Sequence, residues 1–287
     1  MLVPLASGRL SPYNLLKMAD PSLREHLRRR AELAAVASSP AEIEGFFKET
    51  AKEVLIALAR NPHLQEGDLL RLLERKDLSQ EAVRAISEHR ETRRNYRLQL
   101  AVACHPKAPR LVSLPILKFL YTFDLLRLAQ TPAVPNDIKM VAEETILKKL
   151  EGMPRGEKIT LARRGTGRLA ARLVVSADLE LIGAALDNPY LTEGHLLKVL
   201  ALESLPPAVV ERVAQHDRWC HRYHLRLALI RNPLTPFARV LAFLPEMAVV
   251  DLRDICLDHR MPEAVRKYIQ AHCTARLNKQ RRIPPRA

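Results

Sequence analysis

Apolar residues along the chain recur at the three- and four-residue spacing of amphipathic helices, and short polar turns interrupt them. In LTEGHLLKVL (191–200), Thr192 is a good helix N-cap, and Leu196, Leu197 and Leu200 then share one face. The pattern therefore predicts a series of short helices, each with an apolar face that must be buried against its neighbours.

An X-Pro pair ends several of these apolar runs. Asn-Pro stands at 61–62, 188–189 and 232–233, and His-Pro stands at 105–106. Proline cannot continue a helix and moves the preceding residue out of the helical region, so each pair predicts a corner between two helices. The short asparagine amide suits such a corner because it can satisfy a free backbone group at the helix end.

The chain also repeats itself at an offset of 127 residues, which aligns NPHLQEGDLLRLL (61–73) with NPYLTEGHLLKVL (188–200). Between residues 61 and 117, 19 of 57 positions are identical to their counterparts, and this identity predicts a tandem duplication. The predicted organisation is an N-terminal cap segment (1–27), a first helical-repeat copy (28–154), a second copy (155–277) and a basic disordered tail (278–287).

The composition agrees with packed helices, because the 287 residues include only 9 Gly and 5% aromatic residues. Helix pairs of this kind bury their apolar stripes by stacking on consecutive pairs. We therefore predict an all-α chain folded as a right-handed α-solenoid of about five to seven helical hairpins. Leu70 and Leu197 are expected to be buried in that stack.

The stretch VLIALARNPHLQEGDLLRLLERKDLSQEAVRAISEH (54–89) resembles the variant leucine-rich repeat and HEAT-like families, whose units run apolar helix, Asn-Pro, leucine-rich helix. The resemblance covers residues 54–150 and 176–277. It implies HEAT-like hairpins, and it implies no single activity, because such families include assembly scaffolds and a group of DNA glycosylases. LEGMPRGEKITLARRGTGRLAA (150–171) also resembles a segment of uncharacterised bacterial helical-repeat proteins.

The net charge of the chain suggests a hypothesis about its partner. Lys and Arg outnumber Asp and Glu by 46 to 32 and give a formal net charge of +14. Such an excess favours an acidic partner. Segment 155–172 contains one acid, Glu157, and six basic residues, namely Arg155, Lys158, Arg163, Arg164, Arg168 and Arg172. Together with nearby glycines such as Gly165 and Gly167, this segment is either a phosphate- or partner-binding surface or a solvated hinge between the copies.

A second basic stretch is HRETRRNYRLQ (89–99), in which Arg90, Arg94 and Arg97 are predicted to share a helical face that binds the same kind of partner. The alternative is that these long side chains simply cover the rim of the repeat stack. The basic tail can add nonspecific affinity for phosphates.

Two constellations suggest chemistry. His216, Cys220 and His224 follow one another at helical spacing and are zinc-ligand types, although one straight helix normally supplies only two ligands. Trp219, the only tryptophan, and the nearby Asp217 are the candidates for a glycosylase site, which needs a carboxylate beside aromatic side chains. We find no hydrolase or kinase signature and predict no catalytic residues, cofactor or metal site.

The four cysteines are widely spaced without a CxxC pair, which suits a reduced cytoplasmic environment. Neither an export signal nor an apolar run of about 18 residues is recognisable. The sequence thus favours a non-enzymatic helical-repeat scaffold that binds an acidic macromolecular partner, either protein or nucleic acid. The alternative is a nucleic-acid binder or a HEAT-like DNA glycosylase-type enzyme that uses the basic surface.

Overall fold

The computed structural model describes residues 21–258 and 261–281. Within these residues the protein contains nineteen α-helices, one 3-10 turn (Leu244–Glu246) and no β-strand, so the all-α prediction is confirmed for this part of the chain. The chain divides into two compact units, Met1–Ile146 and Leu147–Ala287. None of the described helices combines the length and apolar character needed to cross a membrane.

The helices of the first unit are α1 (Pro21–Val36), α2 (Pro40–Phe46), α3 (Lys52–Ala59), α4 (Glu66–Glu74), α5 (Gln80–Glu88), α6 (Arg90–Arg94), α7 (Tyr96–Cys104), α8 (Arg110–Leu117), α9 (Thr122–Gln130) and α10 (Asn136–Lys149), the last of which runs three residues beyond the boundary. Those of the second unit are α11 (Arg155–Arg164), α12 (Gly167–Val174), α13 (Leu179–Leu186), α14 (Glu193–Leu200), α15 (Pro207–Gln215), α16 (Tyr223–Arg231), α17 (Phe237–Phe243), α18 (Val249–Cys256) and α19 (Glu263–Arg281).

The ends of the predicted segments differ from their expected character where the structure describes them. Residues 21–27 of the cap segment belong to helix α1, and residues 278–281 of the predicted disordered tail belong to helix α19. Residues 1–20 and 282–287 lie outside the described residues.

The proline corners lie where the sequence places them. Pro62 lies between α3 and α4, Pro106 between α7 and α8, Pro189 between α13 and α14, and Pro233 between α16 and α17. Helix starts also follow the sequence, since the Thr192 hydroxyl accepts a hydrogen bond from the His195 backbone N–H at 3.3 Å.

The corner asparagines reach further along the chain than the sequence suggests. Asn61 is fully buried, and its Nδ2 donates to the carbonyl oxygens of Ala34 and Ala37, at 2.8 Å each. Its Oδ1 accepts from the His63 backbone N–H at 2.9 Å. The side chain therefore ties its own corner to the C-terminal end of helix α1, whose last carbonyls lack partners within the helix.

Leucine is the most frequent residue in the cores of both units, but the register of the buried leucines differs from the predicted one. Leu69 and Leu196 are fully buried, whereas Leu70 and Leu197 are only half-buried, so the expectation for the latter pair was wrong by one residue. Either leucine of a Leu-Leu pair could pack in the core, and the packing of the neighbouring helices buries the first of the two.

Candidate functional site

The predicted basic segment 155–172 forms helices α11 and α12. Arg163 and Arg164 lie in the last turn of α11 and are exposed, as is Arg172 on α12. Arg168 and Lys158 are half-buried. The predicted basic residues of this segment thus differ in their access to a partner.

Arg155 is engaged within its own unit. Its Nε lies 2.6 Å from Oδ2 of Asp178, and its Nη2 lies 2.7 Å from Oε2 of Glu180. The hydrogen bond from Arg155 lowers the pKa of Asp178 to about 2. Two carboxylates therefore compete with any acidic partner for this guanidinium, and Arg155 is the weakest candidate of the predicted set.

Close packing accounts for the glycines beside these arginines. A Cβ atom on Gly167 would lie 2.2 Å from the Tyr190 carbonyl oxygen, and one on Gly165 would lie 2.4 Å from the Leu161 carbonyl oxygen. The Gly165 N–H already donates to Leu161 O at 2.7 Å, and Gly165 O accepts from Asn188 Nδ2 at 2.9 Å. No glycine in the described part of the chain has a positive φ, which the usual backbone cradle for an anion requires.

The second basic stretch does not form one continuous helix. Helix α6 ends at Arg94 and α7 begins at Tyr96, because the Asn95 side chain caps α7 by accepting from the Arg97 N–H at 2.9 Å. The predicted shared helical face of Arg90, Arg94 and Arg97 is therefore wrong. Arg97 Nη1 instead lies 3.4 Å from Oε1 of Glu66.

Helix α6 gathers a different set of arginines, namely Arg90, Arg93 and Arg94, all of which are exposed. None of the three has an acidic partner among the described residues. Arg93 was not among the site residues predicted from the sequence. The RxxRR spacing at 90–94 could have indicated this group, because it places three cationic side chains within one and a half turns of a helix.

The three candidate zinc ligands, His216, Cys220 and His224, do not lie on one helix. Helix α15 ends at Gln215 and α16 begins at Tyr223, so His216 and Cys220 lie in the turn and His224 lies in the next helix. His216 Nε2 lies 3.2 Å from Oδ1 of Asp187. Within the described residues, no three His, Cys, Asp or Glu side chains come together as a metal ligand set would.

Trp219 is part of the core of its unit. Its side chain is buried, its Nε1 donates to the Leu186 carbonyl oxygen at 2.9 Å, and the Arg218 guanidinium lies 4.3 Å from the ring centroid. Asp217, the acid considered with it, is exposed. The indole therefore packs in the core of its unit and is not accessible for stacking on a nucleotide base.

The sites that remain are the exposed arginines on α6, α11 and α12. Comparison of the chain with protein-family models, with curated proteins and with solved structures finds no match. The resemblance to variant leucine-rich repeat and HEAT-like proteins therefore stays a prediction.

Proposed function

We propose that the chain is a tandem duplication whose two copies are right-handed α-solenoids of HEAT-like hairpins. Matching hydrogen bonds support this proposal: the donors, Asn61 and Asn188, lie 127 positions apart, and their acceptors lie 128 positions apart. Asn188 Nδ2 donates to Ala162 O and Gly165 O at 2.7 and 2.9 Å, as Asn61 does to the end of helix α1. Independent evolution of the same buried amide in the same role is a less economical explanation than duplication.

A second matched set involves tyrosines that bind a carboxylate. The Tyr96 hydroxyl donates to Oδ2 of Asp124 at 2.6 Å and accepts from the Tyr121 N–H at 3.0 Å. At the corresponding positions the Tyr223 hydroxyl donates to Asp251 and accepts from a backbone N–H. For both tyrosines, the two bonds join residues 28 and 25 positions apart, a separation that fits repeated helical hairpins.

We further propose that the protein is a non-enzymatic scaffold that binds an acidic macromolecular partner. The observation that carries this proposal is the group of Arg90, Arg93 and Arg94, exposed and without acidic partners among the described residues. Elsewhere in the first unit, exposed arginines such as Arg71 and Arg110 are paired with carboxylates. An unpaired cluster on one short helix is available for an external anion.

Proximity makes these three charges act together. They lie on one five-residue helix whose backbone rises only about 6 Å between Arg90 and Arg94, less than a Debye length of about 8 Å at physiological salt, so their potentials add. Arg163 and Arg172 of the second unit are also exposed and lack acidic partners among the described residues, and we propose them as further contacts for the same kind of partner.

The test is equilibrium binding of fluorescein-labelled poly-glutamate, measured by fluorescence anisotropy. The triple variant R90A/R93A/R94A is expected to bind about tenfold more weakly than the unmodified protein, because it loses three exposed charge contacts. The matched control is R212A/R222A/R231A, which removes three exposed arginines from other helices or turns. Equal weakening by both variants would mean that net charge alone is responsible and would contradict the proposed surface.

Duplex DNA in the same assay separates the nucleic-acid alternative. Tighter binding of DNA than of poly-glutamate at the same salt concentration would favour that alternative, since phosphate contacts would then dominate the affinity.

A further inference from the structure

A groove of about 510 Å³ lies in the first unit beside the α6 arginines. Its apolar lining comes from helix α8 and the turn after it, and its polar lining comes from α5, α6 and α7. The lining residues are Leu111, Val112, Pro115, Ile116 and Phe119 on the apolar side, and Ser87, Thr92, Arg93 and Gln99 on the polar side.

The groove exposes apolar side chains that a folded helical protein normally covers. Leu111 is 88% exposed and Phe119 is 74% exposed, and both line the groove. Large apolar side chains clustered at a concave surface are typical of an interaction site.

Thr92 provides an independent indication that something is to be bound there. The residue is only 1% exposed, and its Oγ1 has no hydrogen-bond partner among the described residues. A buried hydroxyl without a partner costs free energy, and a ligand with a polar edge in the groove would remove that cost.

The second unit has larger or charged side chains at three of the corresponding positions. The residue 127 positions after Thr92 is Trp219, whose indole is buried. The counterparts of Gln99 and Phe119 are Arg226 and Glu246, which form an ion pair between a buried guanidinium and an exposed carboxylate. The second unit therefore supplies an indole and a carboxylate at the positions where the first unit leaves an open groove.

We propose that the groove of the first unit binds the tryptophan side chain of an acidic peptide. The indole is received by Leu111, Val112 and Ile116, and its N–H donates to Thr92 Oγ1, while the acidic residues of the peptide face Arg93 and its neighbours on α6. This proposal rests on the proposed function, because it specifies which acidic partner the α6 arginines bind.

Charge and composition argue against a second copy of this chain as the occupant. The net charge of +14 makes another copy electrostatically unfavourable beside the α6 arginines. The only tryptophan of the chain is already buried, and its N–H is already hydrogen-bonded within its own unit. A separate acidic polypeptide is the occupant that fits.

The test uses three fluorescein-labelled synthetic peptides: a glutamate-rich peptide with one central tryptophan, the same peptide with alanine in its place, and a version with glutamine for every glutamate. The protein is expected to bind the tryptophan peptide at least about tenfold more tightly than the alanine peptide, because an aromatic side chain is buried. The glutamine version is expected to bind about tenfold more weakly than the tryptophan peptide.

The substitution Leu111→Glu should abolish the preference for tryptophan over alanine, and its exposure means that the fold is preserved. The matched control is Ala238→Glu at the counterpart position, which is also exposed and should keep the preference. Thr92→Trp should also abolish the preference by filling the groove from within, and circular dichroism checks that this variant folds.

Each outcome decides between the two proposals. If the protein binds neither acidic peptide at low salt, the scaffold proposal fails and the groove proposal fails with it. If both acidic peptides bind equally well, or if Leu111→Glu and Ala238→Glu have equal effects, the groove proposal alone is overturned.

Discussion

Replacing Asn61 with alanine should destabilise the first unit more than replacing Asn232, at the Asn-Pro corner 232–233, destabilises the second. The Asn61 side chain makes three hydrogen bonds, two as a donor to the carbonyls of Ala34 and Ala37 and one as an acceptor from the His63 N–H. Alanine would leave the two carbonyls at the end of helix α1 without this partner in a buried environment.

The size of the effect follows from what is left unsatisfied. Each buried carbonyl without a partner costs about 1–2 kcal/mol, and the lost bond to the more exposed His63 N–H costs about 0.5–1 kcal/mol. The expected loss for Asn61→Ala is therefore about 2.5–5 kcal/mol of unfolding free energy. Asn188→Ala should cost the second unit a similar amount, because its three bonds are of similar length.

Asn232 provides the matched control, since it occupies a third Asn-Pro corner. It is only half-buried, and its one cross-helix bond, to the Leu200 carbonyl, is long at 3.4 Å. Asn232→Ala should therefore cost about 1 kcal/mol.

The assay is urea unfolding followed by circular dichroism, with fluorescence of the single Trp219 reporting the second unit separately. If Asn61→Ala and Asn232→Ala differed by less than about 1 kcal/mol, the cross-helix role of the buried amide would be refuted.

Three further predictions test the packing and the titrating groups. Leu69→Ala should cost about 2–5 kcal/mol, and Leu70→Ala less than half as much, in the same urea assay, because only Leu69 is fully buried. Burial lowers the pKa of the His105 imidazole, so the stability that its neutral form contributes is fully present above about pH 6.5 and is lost as the pH falls. His105→Asn should therefore flatten the pH dependence of the melting temperature in thermal melts from pH 7 to 5. Burial and the hydrogen bond to the Asp124 carboxylate raise the pKa of Tyr96 to about 12, so the free energy of unfolding should fall as the pH rises from about 10 towards 12. Tyr96→Phe should remove that loss, as measured by urea unfolding at alkaline pH.

The helical elements were predictable because their signals are local. Pro62 and Pro189 end helices through their own ring geometry, whatever the rest of the chain does. The break at Asn95 was missed because RETRRNYRLQ contains neither proline nor glycine, although asparagine is a known N-cap residue. Leu69 and Leu70 could not be told apart, since only the neighbouring helices decide which leucine enters the core.

The candidate site was less predictable because it depends on contacts between residues far apart in the sequence. Arg155 belongs to the predicted basic surface by sequence, but Asp178 lies 23 residues later and pairs with it only after the hairpin forms. The groove at Thr92 did leave a sequence signal: aligning the two proposed copies places a threonine opposite the only tryptophan. The meaning of that difference required the burial of both residues and the open volume beside one of them.

The most direct test of the scaffold proposal is the salt dependence of poly-glutamate binding to the full chain. We expect saturable binding at about 50 mM salt that weakens markedly by about 200 mM, because contacts made by exposed arginines provide the affinity. Absence of binding at about 50 mM salt, where electrostatic contacts are strongest, would contradict it.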